Sequence, residues 1–173
     1  MPNLDAQIFQ WINTLPDSPL TVTLFYIHYL SFVWLAFITI FLWVKFPDKR
    51  KSLIRTVSVA LFTYGFCFVL KYLIDRPRPA ETIPDVIVRA NYYFPSFPSD
   101  QAATFLAFAI LLALFFQKKL YTVPTFTIVA LIAISRIYLG AHYPSDVLGG
   151  MVVGTLVPLT YYYVIFKRKT TKK

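Results

Sequence analysis

Between residues 71 and 146 the sequence places three cations (Lys71, Arg78, Arg136), a hydroxyl (Ser99), an imidazole (His142) and two carboxylates (Asp100, Asp146) at the ends of strongly apolar segments. Charged groups at membrane depth are costly and are usually functional. Fixed cations beside a helix N-terminus suit a phosphate or pyrophosphate, and the charge that develops during phosphoryl transfer needs such a clamp. His142 and Asp146 stand four positions apart, with Pro144 between them. A helical turn begun at that proline brings the carboxylate to the ring. A carboxylate bonded to one ring nitrogen leaves the other as an oriented nucleophile.

Taken singly, these residues have plainer readings: Lys71 as a snorkelling lysine, Arg136 as an interface anchor, Ser99 as an N-cap, Asp146 as a first-turn acid, His142 as a solvated loop histidine. Those readings do not explain why all of them share one face. No cluster of carboxylates or histidines has metal-ligand spacing; His28 is the only other imidazole and Cys67 the only thiol. The expected chemistry therefore uses neither metal nor cofactor.

The elements that hold these groups follow from composition. The chain has 173 residues, 57% of them hydrophobic and 14% charged, with a mean hydropathy of +0.59. Soluble domains average roughly 45–50% apolar and about 25% charged. The net charge of +9 is no nucleic-acid signal, because the charges sit between hydrophobic runs. Five stretches, 21–44, 52–74, 100–116, 120–137 and 147–166, are long enough to cross a bilayer as helices. Ahead of them, residues 3–15 read as an amphipathic interfacial helix (within 1–16), with Leu4, Ile8, Trp11, Ile12 and Leu15 on the apolar face and Asn3, Gln7, Gln10, Asn13 and Thr14 opposite.

The expected fold is an all-α polytopic membrane protein, one domain over 1–173, with the chemical residues in 71–146 and a basic tail at 167–173. The connector 75–99, rich in proline and charge, reads as an ordered functional loop. Its Tyr92, Tyr93 and Phe94 read as interface anchors. Gly150 and Gly154 form a GxxxG suited to packing inside the bundle. Twelve of the 17 Lys and Arg residues fall on the side of the 45–51 loop, the 117–119 loop and the tail. That puts the tail in the cytoplasm, and the long loop and the N-terminal helix, with Asp5 and Asp17, outside.

With these residues in place the sequence resembles the type 2 phosphatidic acid phosphatase superfamily of membrane lipid phosphatases. KYLIDRPRP carries the first motif as Lys71, Arg78 and Pro79, and SRIYLGAHYPSD the third as Ser135, Arg136, His142 and Asp146. The second motif, normally Pro-Ser-Gly-His, reads Pro98, Ser99, Asp100, Gln101.

The resemblance implies a metal-independent enzyme of a bacterial inner membrane. His142 is then the nucleophile, Asp146 its orienting partner, and Lys71, Arg78, Ser99 and Arg136 the phosphate-binding set. It implies a lipid phosphate or pyrophosphate substrate in the bilayer, with no nucleic acid and no obligate protein partner. The family's second-motif histidine protonates the leaving oxygen, which an amide cannot do. The proton then comes from Asp100, His28 or water, or the leaving group departs readily, as in a polyprenyl pyrophosphate or an anomeric lipid A phosphate. Alternatives are a phosphatidylglycerophosphate or phosphatidic acid phosphatase, a catalytically dead lipid-binding relative and, from another class, a small transporter.

Overall fold

Prolines open the helices that start at residues 19, 79 and 144, and left-handed residues follow those that end at 74 and 116. A computed structural model describes residues 4–16, 18–90 and 92–167; Asn3, Asp17 and residues 168–173 of the basic tail lie outside them. After α1 (Leu4–Asn13), α2 (Pro19–Lys45) starts behind Ser18, whose hydroxyl accepts the Thr21 N–H at 3.3 Å while its own N–H reaches the Thr21 hydroxyl at 2.6 Å. α3 (Arg50–Ile74) stops at Asp75, φ 46°, and a single turn, α4 (Pro79–Thr82), follows. α5 (Asp100–Phe116) stops at Gln117, φ 53°. α6 (Lys119–Tyr138) and α7 (Pro144–Thr160) complete the bundle, α7 running on into π-helical turns over Tyr161–Lys167.

Four segments, Thr21–Lys45, Pro47–Thr82, Lys119–Tyr138 and Pro144–Val164, are long and apolar enough to cross a membrane, and α5 is a shorter apolar helix of 17 residues. The protein is an all-helical, multi-pass membrane protein. Its short helix is the central one. Ala102, Ala103, Phe105, Ala107, Phe108, Ala109, Leu111 and Leu112 of α5 are all fully buried, against α3, α6 and α7. Gln101 meets His28, nine residues into α2, so α5 starts about 13 Å along α2. Its other end, at Phe116, packs on Phe46 just past the end of α2.

α7 approaches α5 through its glycines: a Cβ on Gly150 would lie 2.3 Å from the Ser99 carbonyl oxygen, and one on Gly154 2.5 Å from that of Ala103. The GxxxG is an internal packing face. α2 packs chiefly on α6, and an apolar groove of about 370 Å³ lies along α2 and α3, lined by Phe32, Leu35, Ile40, Leu61 and Phe108 among others.

α1 departs from the expected arrangement in one respect, the placing of Asn13. The stripe it buries is Phe9 and Asn13, against α6 and α7, while Leu4 and Trp11 are each 70% exposed. Asn13, expected on the solvent face, donates its amide to the carbonyls of Ile87 (2.9 Å) and Tyr138 (3.0 Å) and accepts the Ile87 N–H (2.9 Å). Those bonds outweigh the exposure of one apolar edge, because a buried amide with all its partners is stable and the edge can face lipid. α1 is thereby clamped to the long loop, which Gly140 also admits: at φ 80° its bare Cα leaves room for the Ile87 carbonyl.

Candidate active site

The first turns of α5 and α7 meet, the Ser99 N–H donating to the Asp146 carbonyl at 2.9 Å. Two helix N-termini thus lie side by side, a disposition that favours an anion. Ser99 occupies the N-cap position of α5 but its hydroxyl caps nothing. Among the described residues, the buried side-chain polar atoms without a hydrogen bond are Trp34 Nε1, Ser99 Oγ, Arg136 Nε and both ring nitrogens of His142. All but the tryptophan's belong to residues singled out by the sequence. Buried polar atoms are normally paired, so a gathering of unpaired ones is a mark of a ligand site.

The cations converge on the long loop and order it. Lys71, 1% exposed, donates to the carbonyls of Pro95 (3.0 Å) and Ser96 (3.4 Å) and lies 3.8 Å from Asp100 Oδ1. Arg78 donates to Phe94 O and Ala141 O, each at 2.6 Å. Tyr92, expected to anchor at the interface, turns inward instead. Its ring lies between Arg78 and Arg136, with guanidinium carbons 4.8 and 4.7 Å from its centroid. Two cation–π contacts outweigh exposure of the ring to lipid, and burial pushes the Tyr92 phenol up despite both arginines. Tyr93 and Phe94 do stay exposed.

A pocket of about 260 Å³ opens here, lined by His28, Lys71, Arg78, Tyr92, Asp100, Gln101 and Arg136, with Phe32, Tyr64, Tyr93 and Phe94 on its apolar side. Phe32 also lines the α2–α3 groove. His142 is fully buried, its Nδ1 3.6 Å from Asp146 Oδ2. Burial holds its imidazole well below the ordinary value, with Arg136, Lys71 and Arg78 acting the same way and Asp100 opposing. The ring is therefore neutral near pH 7, the form in which an imidazole nitrogen has a lone pair to offer.

Five partners escaped the sequence reading: Arg76, Asp5, Ser96, Tyr143 and Ser145. Arg76 donates to Asp146 Oδ1 at 2.5 Å, to the Ser145 hydroxyl at 2.6 Å and to Asp5 Oδ2 at 2.8 Å. Asp5, on α1, also accepts the Ser145 N–H at 2.9 Å, a donor of the first turn of α7. Ser96 donates its hydroxyl to Asp146 Oδ2, which accepts the Tyr143 N–H as well, at 2.9 Å. Asp146 is thus fixed on three sides before the histidine is counted. A signal was available: Asp5, Phe9 and Asn13 recur every four residues and make a single stripe of α1.

The model of the PAP2 superfamily matches residues 52–170, more than half of the chain. The chain belongs to the PAP2 superfamily. Among PAP2 relatives, it is 29% identical to undecaprenyl-diphosphatase BcrC of Bacillus subtilis over 92% of this chain and 83% of that one. It is 28% identical to the lipid A 4'-phosphatase of Porphyromonas gingivalis, over 93% and 72%. The crystal structure of LpxE from Aquifex aeolicus superposes with a TM-score of 0.75 at 28% identity, covering 91% of this chain and 94% of that one. This PAP2 chain is accordingly a membrane phosphohydrolase, and the expected family and fold class hold.

Proposed function

We propose that the protein is a metal-independent phosphatase of an envelope lipid, undecaprenyl pyrophosphate or a phosphorylated lipid A, acting through a phosphohistidine on His142. The observation that carries this reading is the buried, unpaired imidazole of His142 beside Asp146, next to a pocket faced by Lys71, Arg78 and Arg136. His142 Nδ1 faces the carboxylate, so Nε2 attacks phosphorus. Lys71, Arg78, Arg136 and the Ser99 hydroxyl hold the phosphoryl oxygens as charge develops on them. Water then cleaves the P–N bond and phosphate leaves. The groove along α2 and α3 suits an apolar tail that stays in the bilayer while the headgroup enters the pocket. The names of the relatives support both lipid classes.

Purified protein in detergent, given undecaprenyl pyrophosphate, a phosphorylated lipid A or phosphatidic acid, is expected to release phosphate from one of the first two at an undiminished rate in excess EDTA. Release from neither of them overturns the substrate assignment, and loss with EDTA restored by magnesium overturns the metal-free one.

The lysine asymmetry supports a site on the outer face of the inner membrane and a cytoplasmic C-terminus. A reporter fused after Lys173 is expected to read cytoplasmic, and one inserted at residues 83–86 external. The reverse pair of readings would place the site on the cytoplasmic leaflet.

A further inference from the structure

The leaving oxygen of a lipid alkoxide needs a proton, and the residues that shape the pocket leave few sources for it. Gln101 has only amide donors. Asp100 is engaged with Lys71 at 3.8 Å and accepts the Gln101 N–H at 3.0 Å. The remaining imidazole is on another helix: His28 of α2 lines the same pocket.

Its surroundings are those of a ring held for proton transfer. The Gln101 amide nitrogen donates to the Ser31 hydroxyl at 2.7 Å and to the His28 carbonyl at 3.2 Å, which leaves Oε1 directed at His28 Nδ1, 3.1 Å away. Arg136 Nη1 lies 2.6 Å from the same nitrogen. A guanidinium can only donate and an amide oxygen can only accept, so Nδ1 satisfies one neighbour at a time. With Arg136 on it, Nδ1 is an acceptor and the ring is neutral. With Arg136 drawn onto a phosphoryl oxygen, which is the stronger acceptor, Nδ1 takes up a proton from solvent and donates it to Gln101 Oε1, so that the ring is an imidazolium with a proton on each nitrogen. The other nitrogen, Nε2, makes no hydrogen bond among the described residues and is accessible.

The geometry points to His28 as the proton donor to the leaving group and Gln101 as the residue that positions it, an inference that rests on the phosphatase reading above. As His142 Nε2 bonds to phosphorus and the P–O bond to the lipid breaks, the proton on His28 Nε2 passes to the departing oxygen. When water attacks the phosphohistidine and the P–N bond breaks, His28 takes a proton from that water and is restored. Among the charged and titratable groups facing His28 are Arg136 from α6, Asp100 from α5, Tyr92 from the long loop and Tyr29 beside it on α2. With the proton so supplied, the enzyme is not confined to leaving groups that depart unaided, which removes the restriction expected from Gln101 alone.

The test compares two phosphates of matched tail length: dodecyl phosphate, whose alkoxide leaves poorly, and a dodecyl-bearing nitrophenyl phosphate, whose phenolate leaves readily. His28→Ala is expected to lose about 10²–10⁴-fold in kcat on the first and no more than about tenfold on the second. With the second compound the variant also accumulates acid-labile phosphoenzyme, because water attack has lost its base, and added imidazole restores part of both rates. His28→Gln, which keeps an acceptor for Arg136, behaves alike and covers the case in which the alanine variant does not fold. Equal losses on both compounds, no loss on either, or a steeper leaving-group dependence in Asp100→Asn than in His28→Ala overturns the assignment. A wild-type protein inactive on both compounds removes the phosphatase reading itself, and this assignment with it.

Discussion

Replacing His142 with alanine is expected to abolish turnover, with a loss on the order of 10⁴-fold or more, because a nucleophile and its orienting carboxylate act as one unit. Wild-type protein quenched in acid after mixing with substrate traps a phosphoenzyme that is acid-labile and stable to base, as a phosphorylated imidazole is, and His142→Ala traps none. Both ring nitrogens lack hydrogen bonds, so alanine breaks none, and an unchanged thermal unfolding midpoint would separate lost chemistry from lost folding. Burial and the cations depress the His142 pKa. The neutral ring therefore persists as pH falls through the ordinary imidazole range, and formation of the phosphoenzyme keeps its rate down to about pH 6. A variant that kept a tenth of wild-type activity, set against that expected loss, would show that His142 is not the nucleophile.

Arg76→Ala is expected to lower kcat about 10²-fold, the scale of a misplaced catalytic group, with KM almost unchanged. Arg76 is 27% exposed and lines the far side of Asp146. It bonds Oδ1 while Ser96 and the Tyr143 N–H bond Oδ2, so removing it leaves the carboxylate held at one oxygen and able to pivot about it beside His142. Arg76→Lys keeps one of the three bonds and recovers part of the rate. Single-turnover formation of phosphoenzyme slows in proportion to kcat. An unchanged kcat with a raised KM would instead assign Arg76 to substrate binding.

What the sequence could show depended on how local each feature was. The helices were legible because a run of apolar residues needs no partner to be recognised. So were Lys71, Arg78, Arg136, His142 and Asp146, which stand at helix ends in fixed spacing. Arg76 and Asp5 read as two more outer-face charges, since nothing in either segment says that α1 lies across α7. The periodicity of α1 marks the apolar edge, which the structure leaves outward, but counting apolar residues passes over the Asp5–Phe9–Asn13 stripe that docks on the bundle. Tyr92 looked like its neighbours Tyr93 and Phe94 until Arg78 and Arg136 were brought to its two sides. His28 was one polar residue in an apolar span, and its meaning lay in Gln101 on another helix.

The contacts that build the site join residues far apart along the chain: Arg76 with Asp146 at a separation of 70, His28 with Gln101 at 73, His28 with Arg136 at 108, and Asp5 with Ser145 at 140. Loops of such length close late, after local helices have formed. During synthesis Asp5 waits for Ser145, made 140 positions later. Through most of its insertion the growing polypeptide therefore holds cationic helix ends and an unclosed N-terminal segment, but no assembled reaction centre. On the proposed mechanism a chain interrupted before Asp146 lacks the carboxylate beside His142, and it is expected to be inert however much of the bundle it has made.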